Sequence, residues 1–189
     1  MRSIRFAAFA FVAMFAFTMS VRAAETYTGD PVHSSLVFKS SHLNVSHVYG
    51  RFNAPTSTLT VENGELTAVE ASVAAKNVDT GVEKRDNHLR SADFFNAAEF
   101  PQITFKSTAV KKTGDGKYDV TGDLTLHGVT KSITVTVTKT GEGDNPPPFG
   151  HRAGWESTFS VKRSEFGMTK MIPMVGDEVE VTIAIEAHK

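Results

Sequence analysis

Apolar and polar residues alternate with a period of two along most of this 189-residue chain. In the run 118–126, Val120, Leu124 and Leu126 share one parity, and mainly polar residues fill the other. The same alternation recurs in four more runs: 69–76, 132–138, 155–162 and 178–186. Because successive side chains of a strand point to opposite faces, each run predicts a strand with one buried and one solvated face.

Shorter runs and turn signals extend this pattern into a complete fold. Further, shorter alternating runs are 36–39, 49–54, 59–61 and 103–107. From all these runs we expect about eight strands. Asn63-Gly64 and Gly114-Asp115-Gly116 are typical of tight turns between antiparallel strands. A sandwich fits the same pattern, but a meander of this length favours a closed barrel, which has no free edges.

The alternation also predicts which side chains point into the barrel. The inward set is Leu36, Phe38, Val73, Ile103, Phe105, Val120, Leu124, Val135, Trp155, Phe159, Val181 and Ile183. Small residues share the inward parity at Ala54, Ala71, Ala75, Gly122 and Ala153. These either leave room for a ligand or fit large neighbours into the taper of a filled barrel.

Two segments depart from the strand pattern. Residues 42–48 have turn character and predict a short helical turn, whereas 82–95 predict a charged helix. The expected fold is therefore an all-β, eight-stranded antiparallel barrel with one or two short helices.

The first 23 residues have the three-part layout of a secretory signal. Arg2 and Arg5 precede an apolar run from Phe6 to Phe17, and Val21-Arg22-Ala23 resembles a signal peptidase site. The run is shorter than the roughly 20 apolar residues that span a bilayer. We therefore expect a signal peptide over 1–23 and a single exported, periplasmic domain over 24–189.

Charge and cysteine usage exclude several classes of function. Cleavage removes three arginines and leaves 17 basic against 21 acidic residues, a net charge of −4. This balance argues against nucleic-acid binding and against electrostatic attachment of the domain to anionic lipid surfaces. The chain has no cysteine, which excludes disulfides, thiol nucleophiles and cysteine-based metal sites.

The sequence lacks the usual signatures of catalysis or metal binding. The seven histidines are scattered without a zinc-binding helical pair, and no nucleophile elbow or phosphate-binding glycine loop occurs. We expect no enzyme activity, no metal and no cofactor.

Three motifs resemble one known family. They are Arg85-Asp86-Asn87-His88-Leu89-Arg90-Ser91-Ala92-Asp93-Phe94-Phe95, Phe100-Pro101-Gln102-Ile103-Thr104-Phe105 and the run 120–131. Together they resemble the YceI-like polyisoprenoid-binding proteins of bacteria, over essentially the whole mature chain. The resemblance implies a lipocalin-like extended barrel that holds a long isoprenoid tail, a periplasmic location, dimers in some members and a link to stress responses.

The expected function is a non-catalytic periplasmic carrier of an isoprenoid-type lipid with a quinone or polyprenyl tail. Enzymatic work on an isoprenoid quinone and a filled-barrel interaction module in a stress response remain alternatives. The residues expected to contact the tail are Phe38, Leu43, Phe52, Val73, Phe94, Phe95, Phe105, Trp155, Phe159, Phe166, Met168 and Met171.

The charged run 83–93 has three interpretations. It forms a solvated helix with intrahelical pairs, or its Arg85, Asp86 and Arg90 fasten the helix across the end of the barrel. Alternatively, Arg85, His88 or Arg90 meets the polar head of the lipid. Beyond this lipid, the expected partners are few: no nucleic acid, no stably inserted membrane segment and, at most, a second copy of the chain as a homodimer.

Overall fold

The structure, a computed structural model, describes residues 23–189. The signal peptide predicted over 1–23 lies outside the described residues apart from Ala23. The described strands are β1 (Glu25–Gly29), β2 (Ser35–His42), β3 (Ser46–Phe52), β4 (Thr56–Glu62), β5 (Glu65–Ala74), β6 (Val78–Asp79), β7 (Gln102–Gly114), β8 (Lys117–Leu126), β9 (Val129–Asn145), β10 (Gly150–Lys162) and β11 (Val175–His188). The helix α1 covers Glu83–Arg90, and two 3₁₀ turns cover Ala75–Asn77 and Arg163–Phe166.

These eleven segments form eight barrel strands, because three strands are interrupted. β1 pairs with β4 and β2 pairs with β3, so β1–β2 and β3–β4 run side by side as two long antiparallel strands. β5 pairs with β4 and β6 pairs with β3, which makes β5–β6 the third interrupted strand. The breaks at 30–34, 53–55 and 75–77 lie beside one another in the wall.

The strands follow one another around the barrel in chain order. β5, β7, β8, β9, β10 and β11 are each paired with the next in antiparallel register. β11 then pairs with both β2 and β1, which closes the ring. The predicted eight-stranded antiparallel barrel is confirmed.

The period-two pattern placed the large side chains of the interior correctly, but Ala54, which was predicted to point inwards, is exposed in the break at 53–55. All twelve side chains predicted to point inwards border the space inside the barrel. Val120, Trp155 and Val73 are at most 3 % exposed.

The two ends of the barrel differ. At one end, here called the hairpin end, the β4–β5 and β7–β8 turns are tight, and the β9–β10 loop is longer. At the other, the helix end, the connections 80–101 and 163–174 and the β2–β3 turn meet. The helix end therefore carries most of the irregular chain of the barrel.

Two expectations for the irregular segments need correction. The helix predicted over 82–95 ends at Arg90, and turns containing Phe94 and Phe95 follow it. The helical turn predicted at 42–48 is a hairpin turn, since β2 continues to His42 and β3 begins at Ser46. Within the described chain, the additional short helices are the two 3₁₀ turns.

Candidate functional site

A long apolar cavity runs through the barrel. The space that the centre of a water-sized sphere can occupy there is about 230 Å³. Its wall consists mainly of the inward aliphatic and aromatic side chains of the strands, together with Leu89, Phe94 and Phe95 from the 80–101 connection. The interior is therefore not filled by its own side chains.

Some small inward residues leave space in the cavity, whereas others accommodate a neighbouring aromatic ring. Ala71 borders the cavity. At Gly122, a Cβ atom would lie 2.5 Å from Cζ of Phe105, so this glycine accommodates a ring that already fills the space. Gly50 does the same for Phe38, whose Cζ would lie 2.2 Å from a Cβ there.

Aromatic side chains pack the hairpin end of the barrel. Tyr27 is 1 % exposed and meets Trp155 edge to face, with ring centroids 5.4 Å apart. The Tyr27 hydroxyl donates to Oε1 of Glu142 at 2.7 Å, and Nε2 of His151 lies 2.8 Å from the same oxygen. At the hairpin end, the barrel is thus apolar on the inside, and the Tyr27 hydroxyl has its hydrogen-bond partner on the outside.

Phenylalanines cover the helix end. Phe95 contacts Phe52 edge to face with ring centroids 5.2 Å apart, and Phe94 meets the ring of His88 at 5.0 Å. Both phenylalanines border the cavity, and so does Met168 from the opposite connection.

Arg163 is the buried charged side chain among the described residues that border the cavity. Its Nε, Nη1 and Nη2 atoms donate to the carbonyl oxygens of Gly176, Met168 and Val175 at 2.8–2.9 Å. Burial lowers the pKa of the guanidinium, and the nearby Asp177 carboxylate opposes that shift. The arginine therefore fastens the β10–β11 connection and brings a positive charge to the cavity wall.

The structure brings together nine of the twelve residues predicted to contact the tail. Those that border the cavity are Phe38, Phe52, Val73, Phe94, Phe95, Phe105, Trp155, Phe159 and Met168.

The other three lie elsewhere. Leu43 occupies the β2–β3 turn and is 52 % exposed. Phe166 is 2 % exposed and packs in one apolar cluster with Leu124 and Leu126 of β8, but it does not border the cavity. Met171 lies half-buried in the β10–β11 connection. Sequence spacing could not predict the orientation of these three side chains, because they lie between regular strands, where the alternation does not apply.

The structure places Arg85, His88 and Arg90 outside the cavity wall. Arg90 donates from Nε to the carbonyl of Lys76 and from Nη2 to that of Val78, both at 2.7 Å. Arg85 donates to Oγ1 and the carbonyl of Thr80. The two arginines tie α1 to the preceding chain, and their contact with a head group stays a prediction.

Asp30, His33 and Glu186 form a cluster whose potential ligand atoms lie within 4.8 Å of one another. Nη1 of Arg152 lies 3.2 Å from Asp30 and 3.5 Å from Glu186. The arginine forms ion pairs with both carboxylates. The cluster therefore connects the β1–β2 break to β10 and β11.

Across residues 23–189, no helix is both long and apolar enough to cross a bilayer.

Known proteins share this architecture. The family model for the YceI-like domain matches residues 27–187. Protein YceI of Salmonella newport (strain SL254) is 42 % identical over 156 residues, which cover 82 % of this chain and 81 % of the relative. The crystal structure of Burkholderia cenocepacia BcnA is 25 % identical, with a TM-score of 0.76 over 85 % of this chain and 99 % of the other.

A third protein shares the fold at lower identity. The structure of a polyisoprenoid binding domain from Saccharophagus degradans superposes with a TM-score of 0.67 at 17 % identity, over 86 % of this chain and 97 % of that domain. The family match covers nearly all of the barrel, from β1 to β11, and includes every strand that borders the cavity. The chain belongs to the YceI-like family.

Proposed function

We propose that this protein is a non-catalytic carrier of a long-chain isoprenoid-type lipid and works in the periplasm. The observation that carries the proposal is the apolar cavity, which extends from Trp155 at the hairpin end to Phe94 and Met168 at the helix end. Such a space suits a long hydrocarbon tail, which needs dispersion contacts along its length and few hydrogen bonds.

The comparisons support the chemical class of the ligand. One structural neighbour is described as a polyisoprenoid binding domain, and the chain shares its fold. The cavity wall carries branched aliphatic and aromatic side chains, which offer an isoprenoid chain dispersion contacts along its length.

The volume sets a scale for the enclosed part of the tail. The 230 Å³ of the cavity is many times the roughly 10–15 Å³ that a single water-sized group needs, so the cavity can enclose several isoprene units. A longer tail would extend beyond the cavity towards the helix end.

We place the polar head at the helix end. The hairpin end is occupied by the Tyr27–Trp155 pair, whereas Arg163 brings a buried positive charge to the wall at the helix end. A hydroxyl, carbonyl or phosphate oxygen next to this guanidinium would gain a charge-assisted interaction in a medium of low dielectric constant.

Selectivity cannot come from burial of the tail alone. Each CH₂ moved from water into the cavity contributes about 0.8 kcal/mol, but a lipid leaving a bilayer gives up nearly the same amount. The shape of the cavity and the contacts of the head must therefore decide which lipid is carried.

Mass spectrometry of lipid extracted from protein purified from its native periplasm tests the proposal. We expect an isoprenoid lipid at close to one molecule per protein. Protein that carries no lipid, or a mixture dominated by ordinary phospholipids, would overturn it, as would recovery of the protein outside the periplasmic fraction.

A further inference from the structure

Two neighbouring connections at the helix end expose apolar side chains. Leu43 and Val45 in the β2–β3 turn are 52 % and 81 % exposed. Ile172 and Met174 in the β10–β11 connection are 36 % and 49 % exposed. These four residues are called the apolar rim below.

The rim is one surface, although its two halves are far apart in sequence. The Leu43 amide donates to the carbonyl oxygen of Met174 at 2.6 Å. Directly beside this bond, His42 pairs with Val175 in the register of β2 and β11. A contiguous group of exposed apolar side chains marks an interaction surface more often than scattered ones do.

The rim adjoins the cavity. Met168 and Val175 border the cavity and flank Ile172 and Met174 in the chain. Ser40 borders it three residues before Leu43. Whatever covers the rim therefore lies next to the helix end of the lipid site.

The backbone of the rim is held in an unfavourable conformation. Leu43 and Asn44 have φ of 54° and 55°, and the Val45 amide donates to the His42 carbonyl, as in a type I′ turn. Asparagine and glycine suit such a turn, whereas leucine rarely adopts a positive φ. The leucine is half exposed here, so its burial within the fold does little to offset this strain.

The charge around the rim differs from that of the whole domain. Segments 42–48 and 168–175 contain Lys170, His42 and His47 and no aspartate or glutamate. Lys170 pairs with Asp93 of the neighbouring connection at 3.4 Å. An anionic surface that approaches the rim thus meets no carboxylate from these two segments, despite the net charge of −4 of the mature chain.

We propose that the apolar rim docks the barrel reversibly on the surface of a phospholipid bilayer, where lipid passes between the membrane and the cavity. The inference rests on the proposed carrier function. Four exposed side chains on two turns allow shallow, interfacial contact, which is weak enough for release.

Vesicle flotation of the mature protein tests this docking. The vesicles contain phosphatidylcholine alone or mixed with phosphatidylglycerol. We expect the wild type to bind both kinds of vesicle, because the contact that the rim makes is mainly apolar. Val45→Asp and Ile172→Asp should each weaken binding by about tenfold, because each replaces apolar contact with a charge.

Val32→Asp is a matched control. Val32 is 82 % exposed, as Val45 is, but it lies in the β1–β2 break rather than at the rim. We expect this variant to bind vesicles like the wild type and all three variants to keep the wild-type melting temperature.

Equal binding by Val45→Asp and Val32→Asp, or no binding by the wild type, would overturn the docking proposal. A wild-type dimer that Val45→Asp dissociates, without any vesicle binding, would instead assign the rim to a second copy of the chain.

Lipid content measured on the same samples separates the two proposals. Isoprenoid-loaded protein that never floats overturns docking alone, whereas protein that floats but carries no isoprenoid overturns the carrier function alone.

Discussion

The guanidinium carbon of Arg163 lies 5.9 Å from the centroid of the Phe94 ring, over the ring. Phe94 belongs to the connection after α1, and Arg163 belongs to the connection after β10, so this contact joins the two long segments of the helix end. Because both residues border the cavity, the pair links the stability of that end to the shape of the lipid site.

Arg163→Met should lower the free energy of unfolding by about 2–4 kcal/mol, since three backbone carbonyls lose a buried charged donor. Urea unfolding measures the change. Lys162→Met, at the exposed neighbouring position, serves as the control and should stay within about 0.5 kcal/mol of wild type. Equal stability of the two variants would show that Arg163 does not fasten the connection.

Ala71→Trp should reduce bound lipid by about half or more. An indole is much larger than the methyl group of Ala71, which borders the cavity, and takes up space that the tail would need. Glu70→Trp inserts the same side chain one position away, on the solvated face, and should leave lipid content unchanged. Mass spectrometry of both preparations gives the answer, and equal lipid content would place the ligand outside the barrel.

Affinity should rise with tail length and then level off. For prenyl alcohols of increasing length, we expect tighter binding with each added isoprene unit until the tail fills the cavity, and little further gain after that, because additional units no longer fit inside. Competition against a fluorescent lipid measures the series. A steady rise over the whole series, without a plateau, would mean that the cavity does not limit how much of the tail is bound.

Arg90→Met should destabilise the protein by about 1–3 kcal/mol and leave the bound lipid population unaltered. The arginine donates to the carbonyls of Lys76 and Val78, outside the cavity wall. Lys84→Met, at an exposed position on the same helix, is the control. An altered lipid population at wild-type stability would return the head-group role to this helix.

The charged cluster at the hairpin end should make stability depend on pH. Hydrogen bonds from Lys139, Tyr27 and His151 lower the pKa of Glu142 to about 2, so its contribution is present above the ordinary value of 4.5 and is lost as pH falls. Hydrogen bonds to Asp144 and Glu142 raise the pKa of His151, so its contribution is present below 6.5 and is lost as pH rises.

The cluster therefore contributes most between about pH 4.5 and 6.5. The difference in melting temperature between wild type and His151→Asn should be largest in that window and should shrink towards about pH 9. His47→Asn, at an exposed position on β3, is the control. A difference that stays constant with pH would mean that His151 acts through packing rather than charge.

The wall of the barrel could be read from the sequence because side-chain direction in a strand depends only on parity. Val120 and Val135 pair across β8 and β9 and point inwards together, as their polar neighbours indicated. Alternation carries no information where a strand breaks, so the interruptions at 30–34, 53–55 and 75–77 were not foreseen.

Arg163 was the main residue missed in the site. Its position continues the inward parity of Phe159 and Val161, and this parity was the signal that it points into the barrel. A charged residue that follows a strand is, however, usually exposed to solvent. The carbonyls that make its burial possible belong to residues 168–176, and sequence spacing does not bring these near. Leu43 shows the opposite error. It is apolar and was predicted to contact the tail, but it lies exposed in the turn between β2 and β3.

The closure of the ring by β11 has a consequence for when the protein can fold. Thr28 pairs with His188, so β1 finds one of its neighbours only when β11 is present. Until then, β1–β2 and β10 each have an unpaired edge, which favours aggregation and slow folding. A chain made in this order completes its barrel only after β11 emerges, and we expect truncation within β11 to leave an open, adhesive sheet rather than a smaller barrel.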